Sequence, residues 1–461
     1  MKKLFPLFFA TVALAFSCKT TSPNKDSNTG GTDIAVADTT LGDLAPNADA
    51  PKETFPGTNP GNGTIYYVGP AGNDSNAGTQ AAPWKTLQHA ADNIKAGDMV
   101  AILAGSYSSG FELTTSGTEQ KPITFRGESK DKVTVSGRAG DSEDTIFVNE
   151  ASNINIEQLS VKNSPRAGLR LSYAHKVNVR SSIFANNYKW GIFTDFSDDT
   201  LIEFCQTYGS QDEHGIYISN SSDRAIIRHN ISYGNNGCGI QINADPSCGG
   251  DGISSSCILD SNVIYNNGNG GGSAINLASV RDSIISNNII YANQAGGIAA
   301  WDDDQGEKWG SQNLTIINNT LSFAPDQGRW AISLKNGCTN ATIQNNIVLP
   351  GAKGGIEFDN DSKSGMKADF NVFDTGHPIA TNEDTEEWIT ELSEWQSAGN
   401  GANSLRSTAA ALFENATGGD FHLKAGAPAI DKGTQVKLNF EFEGDPRPIG
   451  GKFDIGADEK K

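Results

Sequence analysis

Histidine and methionine are scarce in this chain, at 6 and 3 in 461 residues, and the 6 cysteines show no zinc-type spacing. Zinc and thiol-redox chemistry therefore have little to build from. Positive charge is short as well: 35 Lys and Arg stand against 54 Asp and Glu, a formal net charge of −19. That argues against a nucleic-acid partner, because phosphate binding needs clustered basic side chains. The same acidity disfavours naked polyanionic polymers unless a cation such as calcium bridges the two, and it raises no objection to neutral glycans.

A membrane-spanning run is also missing from the N-terminus, where Lys2 and Lys3 precede an apolar stretch from Leu4 to Phe16. That stretch falls short of the ~20 residues a spanning helix needs, and reads instead as an export signal over 1–17. Ala15-Phe16-Ser17-Cys18 resembles the lipobox of bacterial lipoproteins. The resemblance implies lipidation at Cys18 and anchoring at the bacterial cell surface or periplasm, most simply on the outer membrane. Residues 18–62 are rich in Thr, Ser, Asn, Asp, Gly and Pro and poor in large apolar side chains, so they read as a disordered tether. An exported chain permits disulfides, and Cys248 with Cys257 would close a short Gly-rich loop worth up to ~3 kcal/mol. Cys205 reads as a small core residue.

What the chain does have is a repeat. Gly-Ile-Phe-Thr at 191, Gly-Ile-Tyr-Ile at 215, Gly-Ile-Gln-Ile at 239, Gly-Ile-Ala-Ala at 297, Ala-Ile-Ser-Leu at 331 and Gly-Ile-Glu-Phe at 355 lie over one another. The steps are 24, 24, 58, 34 and 24 residues, and the 58 divides into 35 and 23 at Ala274-Ile-Asn-Leu. A period near 24 with apolar alternation of period 2 means one solenoid turn per repeat. A second strand follows each start and ends in Asn230, Asn262, Asn288, Asn319 or Asn346. Stacked amides that satisfy turn backbone explain that series, since buried polar groups need partners. The expected fold is all-β: a right-handed parallel β-helix over 63–365, with an amphipathic capping helix at 85–95 and a C-terminal closing module at 366–461 packed on the coil.

Because strand side chains alternate faces, the outward residues of the first strand in each turn can be counted. One row collects Phe193, Tyr217, Gln241, Asn276, Ala299, Ser333 and Glu357; the next collects Asp195, Ser219, Asn243, Ala278, Trp301, Lys335 and Asp359. Acids, amides and rings mixed on one face suit a carbohydrate groove. Phe193, Gln241, Asn243, Asn276, Trp301 and Trp309 are the expected substrate contacts. Lys189, Glu213, Tyr217 and Asp195 fall on adjacent turns with His214 beside them, and form the candidate catalytic group. A carboxylate neighbour keeps Lys189 protonated, so it suits electrostatic stabilisation, with Tyr217 or His214 as proton acceptor. The plainer reading makes Lys189 and Glu213 a cross-strand surface pair and His214 a structural residue. Asp302, Asp303 and Asp304 offer oxygen ligands for calcium.

The segments Ile65-Tyr-Tyr-Val-Gly-Pro-Ala-Gly-Asn-Asp, Pro83-Trp-Lys-Thr-Leu and Gly97-Asp-Met-Val-Ala-Ile-Leu-Ala-Gly-Ser-Tyr107 resemble the opening of family 9 polysaccharide lyases and their pectate-lyase-like relatives. Asp420-Phe-His-Leu, Gly444-Asp-Pro-Arg-Pro448 and Asp454-Ile-Gly-Ala-Asp-Glu459 resemble the closing module of similar secreted proteins. The resemblance implies an Asp-rich calcium site and a lysine base on neighbouring turns. Here the acidic turn reads Asp212-Glu213-His214-Gly215-Ile216-Tyr217, and later turns carry Asn243, Asn276 and Ala278 where a lysine would stand. No residue of that pattern carries over. The expectation is a surface-anchored, monomeric protein that acts on an extracellular polysaccharide by β-elimination. The alternatives are a noncatalytic glycan-binding β-helix, or an epimerase or hydrolase; a hydrolase would need paired carboxylates such as Asp195 and Glu213.

Overall fold

A computed structural model describes residues 54–324 and 327–461. The signal segment, Cys18 and most of the expected tether lie outside the described residues. One turn of the coil runs Trp190–Asp195, Leu201–Glu203 and Gln206–Tyr208; the next runs Ile216–Ser219, Ile226–Arg228 and Ile231–Tyr233. Corresponding strands pair in parallel and build three sheets of twelve strands, here numbered I, II and III in the order a turn meets them. The sequence reading found two strands per turn. The third escaped it because its strands are mostly three residues long, too short to show a period.

Sheet I keeps the expected register. Ile192, Ile216, Ile240, Ile275, Ile298, Ile332 and Ile356 pair turn to turn, and all are fully buried. Each contributes roughly 1.5–3 kcal/mol by leaving water. A single turn cannot bury this face, so the stack itself makes the core.

The corner between sheets II and III explains the recurring Asn. His229, Ser261, Asn287, Asn318 and Asn345 all have φ between 52° and 56°, a left-handed bend that short polar residues tolerate. The Asn that follows each one passes an amide hydrogen bond to the next turn: Asn230 to Asn262 at 3.0 Å, then Asn288, Asn319, Asn346 and Asn371 at 2.9–3.1 Å. Cys205 occupies this corner one turn earlier, where its N–H donates to Asn230 Oδ1 at 2.9 Å. A second file, Asn235 to Asn267 to Asn293, runs between sheets III and I.

Leu87–Asn93 is the capping helix, with Thr86 as N-cap accepting the His89 N–H and with Leu87, Ala90 and Ala91 buried. Gln88 fastens it to sheet I through both backbone groups of Glu112. Before it, residues 54–62 are packed rather than tethered: Asn59 is buried on Gly97, and Arg126 donates to the Pro56 carbonyl at 3.0 Å.

The coil also continues past residue 365, through strands Lys367–Asp369, Val372–Asp374, Ala380–Asn382 and Leu405–Ser407. The helix Leu392–Ser397 then buries Trp395 against Phe358. From 408 onward the chain returns along the outside, with Leu412, Phe421, Leu423 and Ile455 packed on Ile289, Ile347 and Val372. The Gly444-Asp-Pro-Arg-Pro448 motif is structural. Arg447 is buried, bonded to Glu459 at 2.6 Å, to the Gly456 and Ala457 carbonyls, and to the corner residue Asn287.

Candidate functional site

The register brings four of the five expected catalytic residues together. Lys189 Nζ lies 2.8 Å from Glu213 and 3.8 Å from Asp212. Glu213 also accepts the Trp190 indole N–H at 2.9 Å and faces His214 Nε2 at 3.6 Å. His214 meets Tyr217 edge to face, with ring centroids 5.3 Å apart. The fifth residue, Asp195, is buried and pairs with Arg170 at 2.7 Å instead.

This cluster satisfies its own chemistry. The Cys238 backbone N–H donates to His214 Nδ1 at 2.9 Å, which leaves the ring proton on Nε2. Burial pulls the His214 pKa down to about 4, so the ring is neutral and its free lone pair is already used. Burial likewise pushes the Tyr217 phenol well above its ordinary value. The Lys189 ammonium sits where a cation between Asp212 and Glu213 would sit. Lys189 and Glu213 thus form a cross-strand ion pair, and His214 is held by the Cys238 backbone.

The expected calcium trio does not converge. Asp302 is buried and staples its own loop, accepting the N–H groups of Asp304 and Gly306 and the Asn336 amide. Asp303 accepts from Asn243 at 2.9 Å, and burial raises its pKa. Asp304 is exposed. These side chains do not fit a calcium ion, because their oxygens are aimed at separate partners. Among the described residues, the one group of three acids with oxygens within 4.8 Å of one another is Glu441, Glu443 and Asp445, in the closing module. Glu441 is buried, and its carboxyl is pushed up to about 7.

The expected disulfide is not formed either. Cys257 is a buried free thiol whose N–H bonds Ser283 in the core. Its place at the start of a sheet II strand turns it away from the loop surface. Trp309 packs beside Gly252, with Lys308 over its ring, and is not part of the cleft described next.

Further along sheet I, strands Ile275–Ala278, Ile298–Trp301, Trp330–Leu334 and Gly354–Phe358 floor a cleft of about 240 Å³. Asn276 enters it, with its amide bonded to Gln241 at 2.8 Å. Trp301 and Trp330 give it aromatic walls, and the buried Trp301 Nε1 has no hydrogen-bond partner. Lys335 Nζ is held between Glu357 at 3.2 Å and Glu383 at 2.5 Å. Burial works against this ammonium, but the two carboxylates outweigh it and leave the Lys335 pKa above the ordinary lysine value. Ser333 donates to Glu357 at 2.7 Å. Arg329 is exposed at the rim and has no acidic partner among the described residues. Lys335, Glu357 and Ser333 stand on the outward rows counted from sequence, where nothing marked them above their neighbours. Glu383 comes from outside the repeat.

The family model for the Pel9A-like right-handed β-helix region matches residues 66–327. The chain belongs to this family. Its fold resembles the crystal structure of pectate lyase Pel9A, with a TM-score of 0.61 at 16% identity over 87% of this chain and 97% of that one. A lacto-N-biosidase of Eubacterium ramulus gives a TM-score of 0.50 at 13% identity over 74% and 67%. Likeness at these identities concerns fold alone. Among sequence relatives, uncharacterized protein YwoF of Bacillus subtilis is 42% identical over 79 residues, 17% of each chain. Pectate lyase PEL9 of Emericella nidulans is 26% identical over 162 residues, 32% of this chain and 39% of that one. The matched segments therefore span well under half of either relative.

Proposed function

We propose that the cleft at 272–357 binds a uronate-containing polysaccharide and cleaves it by β-elimination. The observation that carries this is the meeting in one cleft of Arg329, which has no acidic partner among the described residues, a Lys335 ammonium between two carboxylates, and the Trp301 and Trp330 rings. The rings stack on sugar faces, and the Arg329 fork suits a uronate carboxylate. Glu357 removes the proton α to that carboxylate, and Lys335 steadies the enolate charge. The electron pair becomes the new double bond as the β C–O bond breaks, and the leaving oxygen takes a proton from solvent. The pectate lyase relatives support this reaction class.

A second reading has its own observation. Glu357 lines the cleft and Glu383 reaches the same ammonium from beside it, and a pair of carboxylates is what a glycoside hydrolase uses. Incubation with a panel of uronate polymers separates the two. Unsaturated ends by ultraviolet absorbance support elimination, new reducing ends without unsaturation support hydrolysis, and binding with neither product makes this a glycan-binding protein. We further propose export and anchoring through lipidated Cys18, to be checked by membrane fractionation of the wild type and a Cys18→Ala variant.

A further inference from the structure

Sheet I ends in a departure from the parallel rule. Glu387–Ile389 runs antiparallel to Ala380–Asn382, so residues 380–389 form a hairpin on the last parallel rung. Both arms reach back to the cleft. Glu383 at its tip bonds Lys335 at 2.5 Å, and the Trp388 ring lies 5.6 Å from that of Trp330. The ladder Glu357, Thr381, Trp388 puts the indole on the same outward row as Ser333 and Glu357. Trp388 is half exposed, at 50%, on a strand whose other anchor, Ile389, is buried. An indole left in water beside an aromatic cleft wall extends that wall by one sugar length. The tip is acidic throughout: Asp384, Glu386 and Glu387 are exposed beside Glu383, and none of those three has a basic partner among the described residues.

We infer that this hairpin selects the charge density of the polymer, admitting a uronate flanked by uncharged sugars and turning away a chain with every carboxylate free. The inference rests on the cleft being a glycan site. Arg329 offers a place for one carboxylate, since Lys335 is already held between Glu357 and Glu383. The next sugar along the coil axis meets the Trp388 face, which favours an uncharged ring, and beyond it the acidic tip, which repels a second carboxylate.

The test uses one uronate homopolymer prepared with all carboxylates free and with most of them methyl-esterified, with binding measured by affinity electrophoresis on the full chain. The wild type is expected to prefer the esterified form. Trp388→Ala should weaken that binding about 3- to 10-fold, the range of one aromatic contact. The combined Asp384→Asn, Glu386→Gln and Glu387→Gln variant, all at exposed positions, should tighten binding of the free form about 3- to 10-fold at low salt, with the gain vanishing at high salt. Unchanged affinities for both variants, with binding weakened about 3- to 10-fold by Trp301→Ala, would overturn the selection and leave the cleft intact. Unchanged binding by Trp301→Ala as well would overturn the cleft itself.

Discussion

The cluster at Lys189, Glu213, His214 and Tyr217 and the cleft at Trp301, Lys335 and Glu357 lie along the same sheet, with Tyr217 and Glu357 on one outward row. They differ in spare valence. In the first, the histidine has spent its acceptor on a backbone amide, and the carboxylate is engaged by an indole and an ammonium. In the second, Arg329 has no acidic partner among the described residues, and the buried Trp301 indole N–H has no hydrogen-bond partner. Convergence of titratable groups therefore does not by itself make a reactive site.

The sharpest way to break this contrast is to exchange the roles. Glu357→Gln and Lys335→Met should each lower turnover about 10²- to 10³-fold, read as initial rates of product formation. The pH profile separates the lysine roles. A stabilising ammonium keeps activity level through neutrality and loses it only as pH rises through the raised Lys335 value, whereas a lysine base would gain activity over that same range.

Next in size is an effect on stability alone. His214 is held near 4 against an ordinary 6.5, so its stabilisation is complete above 6.5 and is lost as pH falls toward 4, of order 3 kcal/mol in all. Denaturant midpoints across that window should show this loss in the wild type and lack that component in His214→Gln. Arg329→Ala should raise KM about 10- to 30-fold with kcat nearly unchanged, as expected for a carboxylate anchor. The smallest change is predicted for Lys189→Met. Stability should fall by about 1 kcal/mol in denaturant titration, with turnover within about 3-fold of wild type; a loss of turnover comparable to Lys335→Met would return catalysis to the first cluster.

The coil was legible because its cause is local. An inward isoleucine that recurs near every 24 residues apart from two loop insertions, and an Asn that closes each second strand, are written into consecutive residues. The outward rows followed from alternation, and they are the rows observed. Pairing across turns was not legible: nothing near Lys335 announces Glu383, 48 residues on in the sequence, and nothing near Glu213 says that Trp190 will consume its second oxygen. The acidic run at 302–304 misled for the same reason, since adjacency in sequence does not aim three carboxylates at one point. Cys257 departs from the disulfide expectation because its thiol serves the core of the coil, a direction that loop length does not encode.

The amide file from Asn230 to Asn371 has a direction. Every side chain donates toward the C-terminal end, so one reversed amide would set donor against donor at one neighbour and acceptor against acceptor at the other. The orientation of the whole column is thus decided once and copied at each rung. A turn can be inserted or removed during evolution at little cost, provided it brings its own amide to that corner. The outward face can in this way lengthen by whole rungs of about 4.8 Å without disturbing the residues already in place.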